Sequence, residues 1–200
     1  GFYTKINRVF IVEETGTDAA GNTIMTRRNG DGAYVYGLNL ETTIQPVNWL
    51  ELQGGFTWQK SRYTEPVSWS GEDYVAPVKR MLRSPDTYGF VSATATPKKS
   101  YAVSLSGVYT GSMLTPHFAG AEGVTRDETV KTKSFFDTTI KLSYFFNISS
   151  TNKIEINGGI QNMFNQIQKD YDRGPDRDSE YIYGPSQPRT FFIGLKISSL

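Results

Sequence analysis

The chain has no cysteine and one histidine, His117, in 200 residues. Disulfide frameworks and thiolate metal sites are therefore excluded, which is compatible with a cell-envelope protein. A single histidine without cysteine gives a metal centre little to build on. No run of roughly 18 apolar residues occurs, so there is no transmembrane helix. The net charge is +1, and no whole-chain field recruits nucleic acid. No G-x-G-x-x-G stretch and no nucleophile-elbow pattern is present, which argues against nucleotide cradling and serine hydrolase chemistry. Hydrophobic residues make up 38%, low for a large soluble core. The chain opens on Gly1 with no signal peptide, and Gly1–Thr4 already reads as strand. That opening favours a chain that begins inside a larger protein.

What the chain has is aromatic and β-forming. Aromatics reach 14%, with 12 Tyr, 12 Phe and 3 Trp, and such residues favour pleated surfaces. No helical periodicity persists for three turns. Period-2 alternation recurs instead. In Pro188–Leu200 the apolar set is Phe191, Ile193, Leu195 and Ile197. Phe2–Glu14 carries Phe2, Thr4, Ile6, Phe10 and Val12 on one face; Tyr34–Pro46 carries Tyr36, Leu38, Leu40 and Ile44. Trp49–Arg62 carries Leu50, Leu52, Phe56 and Trp58; Tyr101–Gly111 carries Tyr101, Val103, Leu105 and Tyr109. Phe135–Phe146 carries Phe136, Ile140, Leu142, Tyr144 and Phe146; Lys153–Met163 carries Ile154, Ile156 and Ile160. Asp86–Thr96 is a weaker strand whose faces alternation does not assign. About eight strands of roughly ten residues result, the length a tilted strand needs to cross a bilayer.

The connections alternate. Pro46–Asn48, Pro97–Lys99 and Asn147–Asn152 are short; Thr15–Ala33, Tyr63–Pro85, Leu114–Ser134 and Asn165–Gln187 are long. A membrane barrel keeps short turns at the periplasmic end and long loops outside. Aromatics sit mostly near segment ends, around middles of Leu, Ile, Val and Gly, as interfacial girdles require. Glu41, Glu51, Gln53, Lys141, Glu155, Asn157, Gln161 and Lys196 lie on the opposite faces. Alternation alone does not say which face is inside; the loop asymmetry favours polar inward. The expected fold is all-β, an antiparallel transmembrane β-barrel.

Ile156–Asn165, INGGIQNMFN, followed by a long loop and then Tyr183–Ile197, YGPSQPRTFFIGLKI, resembles the end of a TonB-dependent outer-membrane receptor. Gly159–Asn165 fits the family's G-x-x-N-L-F-[DN] pattern with Met163 in the Leu place, and Pro188–Lys196 fits its P-R-T…G-x-K strand. Tyr34–Glu41 and Leu105–Gly111 resemble two earlier strands of the same family. The chain ends on Leu200 where the family usually ends on an aromatic. The resemblance implies that residues 1–200 are the C-terminal part of a barrel of about 22 strands, the plug and first strands lying elsewhere. It implies the outer membrane of a Gram-negative bacterium and uptake of a scarce large ligand: ferric siderophore, haem, cobalamin or glycan. The implied partners are outer-membrane lipid, the plug and remaining barrel, the inner-membrane TonB complex acting through the plug, and the transported molecule. No nucleic acid and no cofactor is expected.

No catalytic constellation is visible, and an enzyme is not expected. In Asp170–Glu180, DYDRGPDRDSE, acids at alternate positions partly imitate a calcium loop, but Arg173, Arg177 and Pro175 interrupt it. The alternatives there are a solvated loop or a ligand-gripping one. In Tyr63–Pro85 the exposed aromatics suit either ligand binding or anchoring among lipopolysaccharide. The residues expected to contact ligand are Trp69, Tyr74, Arg80, His117, Arg126, Tyr171, Arg173, Arg177, Tyr181 and Tyr183. The competing readings are a free-standing eight-stranded barrel acting as anchor or adhesin, and an outer-membrane enzyme.

Overall fold

The computed structural model describes residues 1–149 and 152–199. Leu200, and residues Ser150 and Thr151 of the expected Asn147–Asn152 turn, lie outside the described residues. The strands are β1 (Phe2–Asn7), β2 (Phe10–Thr17), β3 (Thr23–Asn29), β4 (Gly32–Val47), β5 (Leu50–Val67), β6 (Val78–Arg80), β7 (Thr87–Lys98), β8 (Tyr101–Thr110), β9 (Leu114–His117), β10 (Glu128–Lys131), β11 (Phe135–Asn147), β12 (Asn152–Gln161) and β13 (Thr190–Ser199). Among the described residues there is no helix.

Eight of these strands form one antiparallel meander, β1-β4-β5-β7-β8-β11-β12-β13, with β6 added beside β5. Two separate hairpins, β2–β3 and β9–β10, stand outside that sheet. The short turns join β4 to β5, β7 to β8 and β11 to β12; every long connection leaves the other end. The expected alternation of connections is therefore present.

Directly opposed residues in a sheet share a face, so the register assigns every side chain. Leu40 opposes Phe56, and Ile44 opposes Leu52. Leu52 opposes Ala93 and Gly54 opposes Val91. Leu105 opposes Ile140. Ile140 opposes Ile160, and Leu142 opposes Gly158. Ile156 opposes Leu195 and Gly158 opposes Ile193. This continuous apolar face is open: Leu40 is 71% exposed, Ile193 85% and Leu195 65%. Burying one such side chain is worth about 1.5–3 kcal/mol, so water would be a poor solvent for this face. The large apolar residues that are buried, including Phe135, Tyr181 and Tyr183, lie instead among the long connections. The polar face is cross-linked by its own groups: Lys141 Nζ lies 2.9 Å from Glu155, Ser143 Oγ donates to the same carboxylate at 2.8 Å, and Thr57 donates to Asn39 at 2.9 Å.

Three expectations need correction. Phe2–Glu14 is not one strand: Arg8, at φ 59°, ends β1, and β2 turns away into its own hairpin. Within β1, Tyr3 opposes Tyr36, so Tyr3 and Lys5 share the apolar face while Phe2, Thr4 and Ile6 lie on the polar one. The Phe2 ring covers Gly37, which explains an apolar residue there; a Cβ on Gly37 would meet Phe2 Cζ at 2.9 Å. The long connections are also not plain loops, because they contain β2–β3, β6 and β9–β10. In β7 the register assigns the faces that alternation left open: Gly89, Val91, Ala93 and Ala95 on the apolar face, Tyr88, Phe90, Ser92 and Thr94 on the polar one.

The two faces predict opposite tolerances. Leu142→Arg, on the apolar face near mid-height, should cost about 2–4 kcal/mol of barrel stability, whereas Thr139→Arg on the polar face should assemble normally. Denaturant titration of the protein in lipid, read by heat-modifiable gel mobility, measures the difference; equal sensitivity at both positions contradicts the assignment.

Candidate ligand-binding loops

The long connections pack over the polar face rather than over the apolar one. Phe135, on the polar face at the start of β11, opposes Thr110. It packs against Tyr181 and Tyr183 of the β12–β13 connection, with Met113 and Val130 alongside. Gly184 sits under that ring at φ +93°, and a Cβ there would meet Phe135 Cζ at 2.7 Å. Both the positive φ and the close ring demand glycine. The β5–β7 connection folds to the same side: Gln59, a polar-face residue, donates to the Pro85 carbonyl at 3.0 Å.

Carboxylates tie the connections together. His117, at the end of β9, is buried; its Nε2 lies 3.0 Å from both oxygens of Asp172. Its ring stacks on Tyr181 at 3.7 Å. Asp172 also accepts from the Asp178 amide at 3.1 Å, and Asp178 accepts from the Phe118 amide at 3.0 Å. Asp170 accepts from the hydroxyls of Tyr181 at 3.1 Å and Tyr183 at 2.5 Å. Gln168 accepts from the Tyr183 amide at 2.9 Å and donates to the Tyr181 carbonyl at 3.2 Å. Asp170, Asp172 and Asp178 of the Asp170–Glu180 segment are thus engaged as acceptors. Among the described residues no three His, Asp or Glu side chains converge on a metal position.

The base of this last connection is held by Asn162, at φ 45° and 1% exposed. Its Nδ2 donates to the carbonyls of Gln166 and Gln187, both at 2.9 Å. Its Oδ1 accepts from the Gln166 amide at 2.8 Å. Asn165 accepts from the Arg189 amide at 3.0 Å. The sequence motif Gly159–Asn165 therefore acts as a clasp that closes a long loop, a role its spelling did not disclose.

The ten expected contact residues divide into three groups. Tyr171, Arg177, Tyr181 and Tyr183 line one cavity of about 480 Å³, together with Asp172, Ile182 and Pro185. Arg173 sits at its edge, 5.0 Å over the Tyr171 ring, and His117 lies behind Tyr181. A second group links neighbouring connections: Trp69 is buried against Phe118 at 5.3 Å, Tyr74 is 56% exposed with its hydroxyl accepting from the Asp127 amide at 3.1 Å, and Arg126 is exposed beside them. Arg80 stands apart on β6, opposite Arg62. Asp127, Asn162 and Gln168 organise the loops and were missed, because a single polar residue in a loop gives no periodic signal.

Burial works to raise the Asp170 carboxyl, but the Tyr183 and Tyr181 hydroxyls and the Lys133 charge outweigh it and hold the group below its ordinary value. Burial, then the Asp170 charge, pushes Tyr181 up to about 12, and Tyr183 is raised by burial and its bond to Asp170. A raised folded-state value means this stabilisation is complete below about pH 10 and lost as pH climbs through about 12. The depressed Asp170 contributes above about pH 4 and loses that contribution on acidification. Near-ultraviolet titration should show a late tyrosine step that Tyr181→Phe and Tyr183→Phe remove. A single tyrosine step would contradict the clamp. Asn162→Ala strips three hydrogen bonds and leaves alanine at positive φ, so it should cost about 2–4 kcal/mol locally; limited proteolysis should then cut within residues 166–187 first.

Residues 1–174 match the family described as the outer membrane protein beta-barrel family. No curated protein matches the sequence. Among solved structures, the chain is similar to the ferric-catecholate import receptor Fiu from K12 E. coli, at 20% identity and TM-score 0.58 over 99% of this chain and 24% of that one. It is similar to the siderophore receptor PirA from Acinetobacter baumannii, at 15% identity and TM-score 0.59 over 99% of this chain and 28% of that one. It is also similar to a mutant of the ferric enterobactin receptor PfeA from Pseudomonas aeruginosa, at 12% identity and TM-score 0.62 over 99% of this chain and 28% of that one. The chain spans about a quarter of the length of these solved structures.

Proposed function

The chain belongs to the outer membrane protein β-barrel family, and from that premise we propose that it supplies wall strands and outer loops to a TonB-dependent receptor importing a ferric siderophore. It resides in the outer membrane of a Gram-negative bacterium. In this reading residues 1–200 are the C-terminal segment of the barrel. The remaining strands and the plug belong to the same receptor, and the inner-membrane TonB complex acts through that plug. The observation that carries the reading is the convergence of the long connections over the polar face around an aromatic and cationic cavity.

The open sheet edges support the larger barrel. In hydrocarbon an unpaired backbone group costs several kcal/mol, and among the described residues β1 and β13 each pair on one side only. A free-standing eight-stranded barrel would join β1 to β13, so the anchor or adhesin reading is the weaker. An enzyme is weaker still, because His117 is committed to Asp172 and Tyr181. The names of the similar receptors, ferric-catecholate, siderophore and enterobactin, favour siderophore over haem, cobalamin or glycan. Tyr171, Arg173 and Arg177 are the exposed members of the cavity group and suit a planar anionic chelate through stacking and charge. Trp69, His117, Tyr181 and Tyr183 hold the loops in shape around it.

A strain lacking the full-length gene should fail to grow when single ferric siderophores are the iron source, and plasmid copies should restore growth. Tyr171→Ala with Arg177→Ala should weaken ferric-siderophore binding to the purified receptor about tenfold, roughly 1.4 kcal/mol. Growth defects confined to cobalamin or glycan sources would overturn the ligand class.

A further inference from the structure

At the end from which the long connections leave, the apolar face gathers its charge in one corner. The charged outward positions there are Lys5 on β1, Lys60 and Arg62 on β5, and, beside β5, Arg80 on β6; Lys98, opposite Tyr101, lies at the other end, beside the short β7–β8 turn. Lys5 opposes Tyr34, Tyr34 opposes Arg62, and Arg62 opposes Arg80. One step nearer the membrane, Tyr3 opposes Tyr36, and Tyr36 opposes Lys60. Below these, Leu38 opposes Trp58 and Leu40 opposes Phe56. The face therefore passes from aliphatic, through an aromatic girdle, to cations within a few residues.

Height fixes what the cations meet. From Leu50 to Trp58, tilted strand rise gives roughly 20–25 Å, the height of a barrel's apolar band. Lys60 and Arg62 then stand about 5 and 10 Å beyond that band. This is the end from which the long connections leave, so these groups stand at the headgroups of the outer leaflet. Cations are costly at mid-membrane but tolerated near the interface, which permits the cluster but does not explain its concentration. Asp86 is the carboxylate within the group, 2.7 Å from Lys60 Nζ and 3.2 Å from Arg80 Nη2. Four cations against one carboxylate leave an excess positive charge. Arg80 Nε is buried with no acceptor. Tyr34 stacks on Tyr36 at 6.2 Å, and Tyr36 meets Trp58 edge-on at 6.3 Å. These rings form an apolar ledge under the cations.

We propose that Lys5, Lys60, Arg62 and Arg80, above the Tyr36–Trp58 ledge, form an outward-facing site for the phosphates of a lipid A headgroup, with its acyl chains lying on the apolar face below. Guanidinium and ammonium groups several ångströms apart suit more than one phosphate, and neighbouring strands about 4.8 Å apart set that spacing. The site is separate from the loop cavity. It rests on the membrane-barrel reading and not on any transported ligand, so a receptor that binds no siderophore leaves it standing.

The test uses the full-length receptor purified in dodecyl maltoside, with diphosphorylated lipid A, monophosphorylated lipid A and free pyrophosphate as probes in thermophoresis. Binding should be strongest for diphosphorylated lipid A, weaker for the monophosphorylated form, and reduced by added salt. Lys5→Gln with Arg62→Gln should weaken diphosphorylated lipid A binding at least about tenfold, while Lys79→Gln, on the other face of β6, should leave it unchanged. Heat-modifiable mobility reports folding, and Lys5→Gln alone, on the sheet edge, serves if the double variant does not assemble. Affinity that ignores phosphate number or salt, or variants that bind as the parent does, would overturn the proposal. Pyrophosphate binding alone as tightly as the lipid would also overturn it, in favour of a soluble anion.

Discussion

A hydrocarbon solvent offers no hydrogen bonds, so each backbone N–H and C=O within it must find a partner in the chain. The rest of this structure follows from that requirement. It makes the membrane part a continuous antiparallel meander, from β1 through β13. Once the ladders are set, side-chain alternation has no freedom, because a one-residue slip would turn the aliphatic set to the polar side. The register accordingly runs unbroken between Phe135 and Tyr144 against β8 and between Asn152 and Gln161 against β13.

The same constraint explains the small residues. Where an aromatic ring must lie flat on a neighbouring strand, glycine makes room beneath it. Phe90 lies on Gly55, Phe136 on Gly107 and Phe192 on Gly159, and in each case an added Cβ would collide with the ring. Phe90 and Phe192 thereby sit close against the polar face. The strands that overrun the membrane have another task. β5 has 18 residues, well beyond the roughly ten needed to cross. Its outer part supports β6 and the β5–β7 connection, and so sets the height of Arg62 and Arg80.

Above the membrane the stabilising chemistry changes. Carboxylates, amide side chains and stacked rings replace ladders: Asp170 under two tyrosines, Asp172 on His117, Asn162 closing the last loop. Buried polar groups of this kind are costly unless satisfied, and here they are satisfied within the β12–β13 connection and, through Asp172 and His117, across to the β8–β11 connection. That mutual dependence lets loops of this length hold a defined cavity while Tyr171, Arg173 and Arg177 stay exposed at it. Function then divides by height. In the proposed function the loops face the medium and a ligand, the polar face lines a passage, and the outer corner of Lys5, Lys60, Arg62 and Arg80 faces lipid.

Period-2 alternation sufficed for most of the wall, because face and period are local properties of a strand. Leu38, Leu105, Leu142 and Ile193 could be assigned to one face without knowing any partner. Alternation failed at β1, where Phe2, Tyr3 and Ile6 are all apolar and only pairing with Tyr36 decides the face. It failed also at β7, whose alanines and glycine carry little signal. The loops were legible only as long, polar and aromatic; that Trp69 and Tyr181 would be buried was not, since loop packing has no period. The sequence by itself determined an all-β, two-faced wall with its long connections at one end, because spacing along the chain encodes that directly. Only the tertiary structure decided which residues meet across those connections and that four cations share one outward corner, because such meetings depend on strand register and on chain segments tens of residues apart.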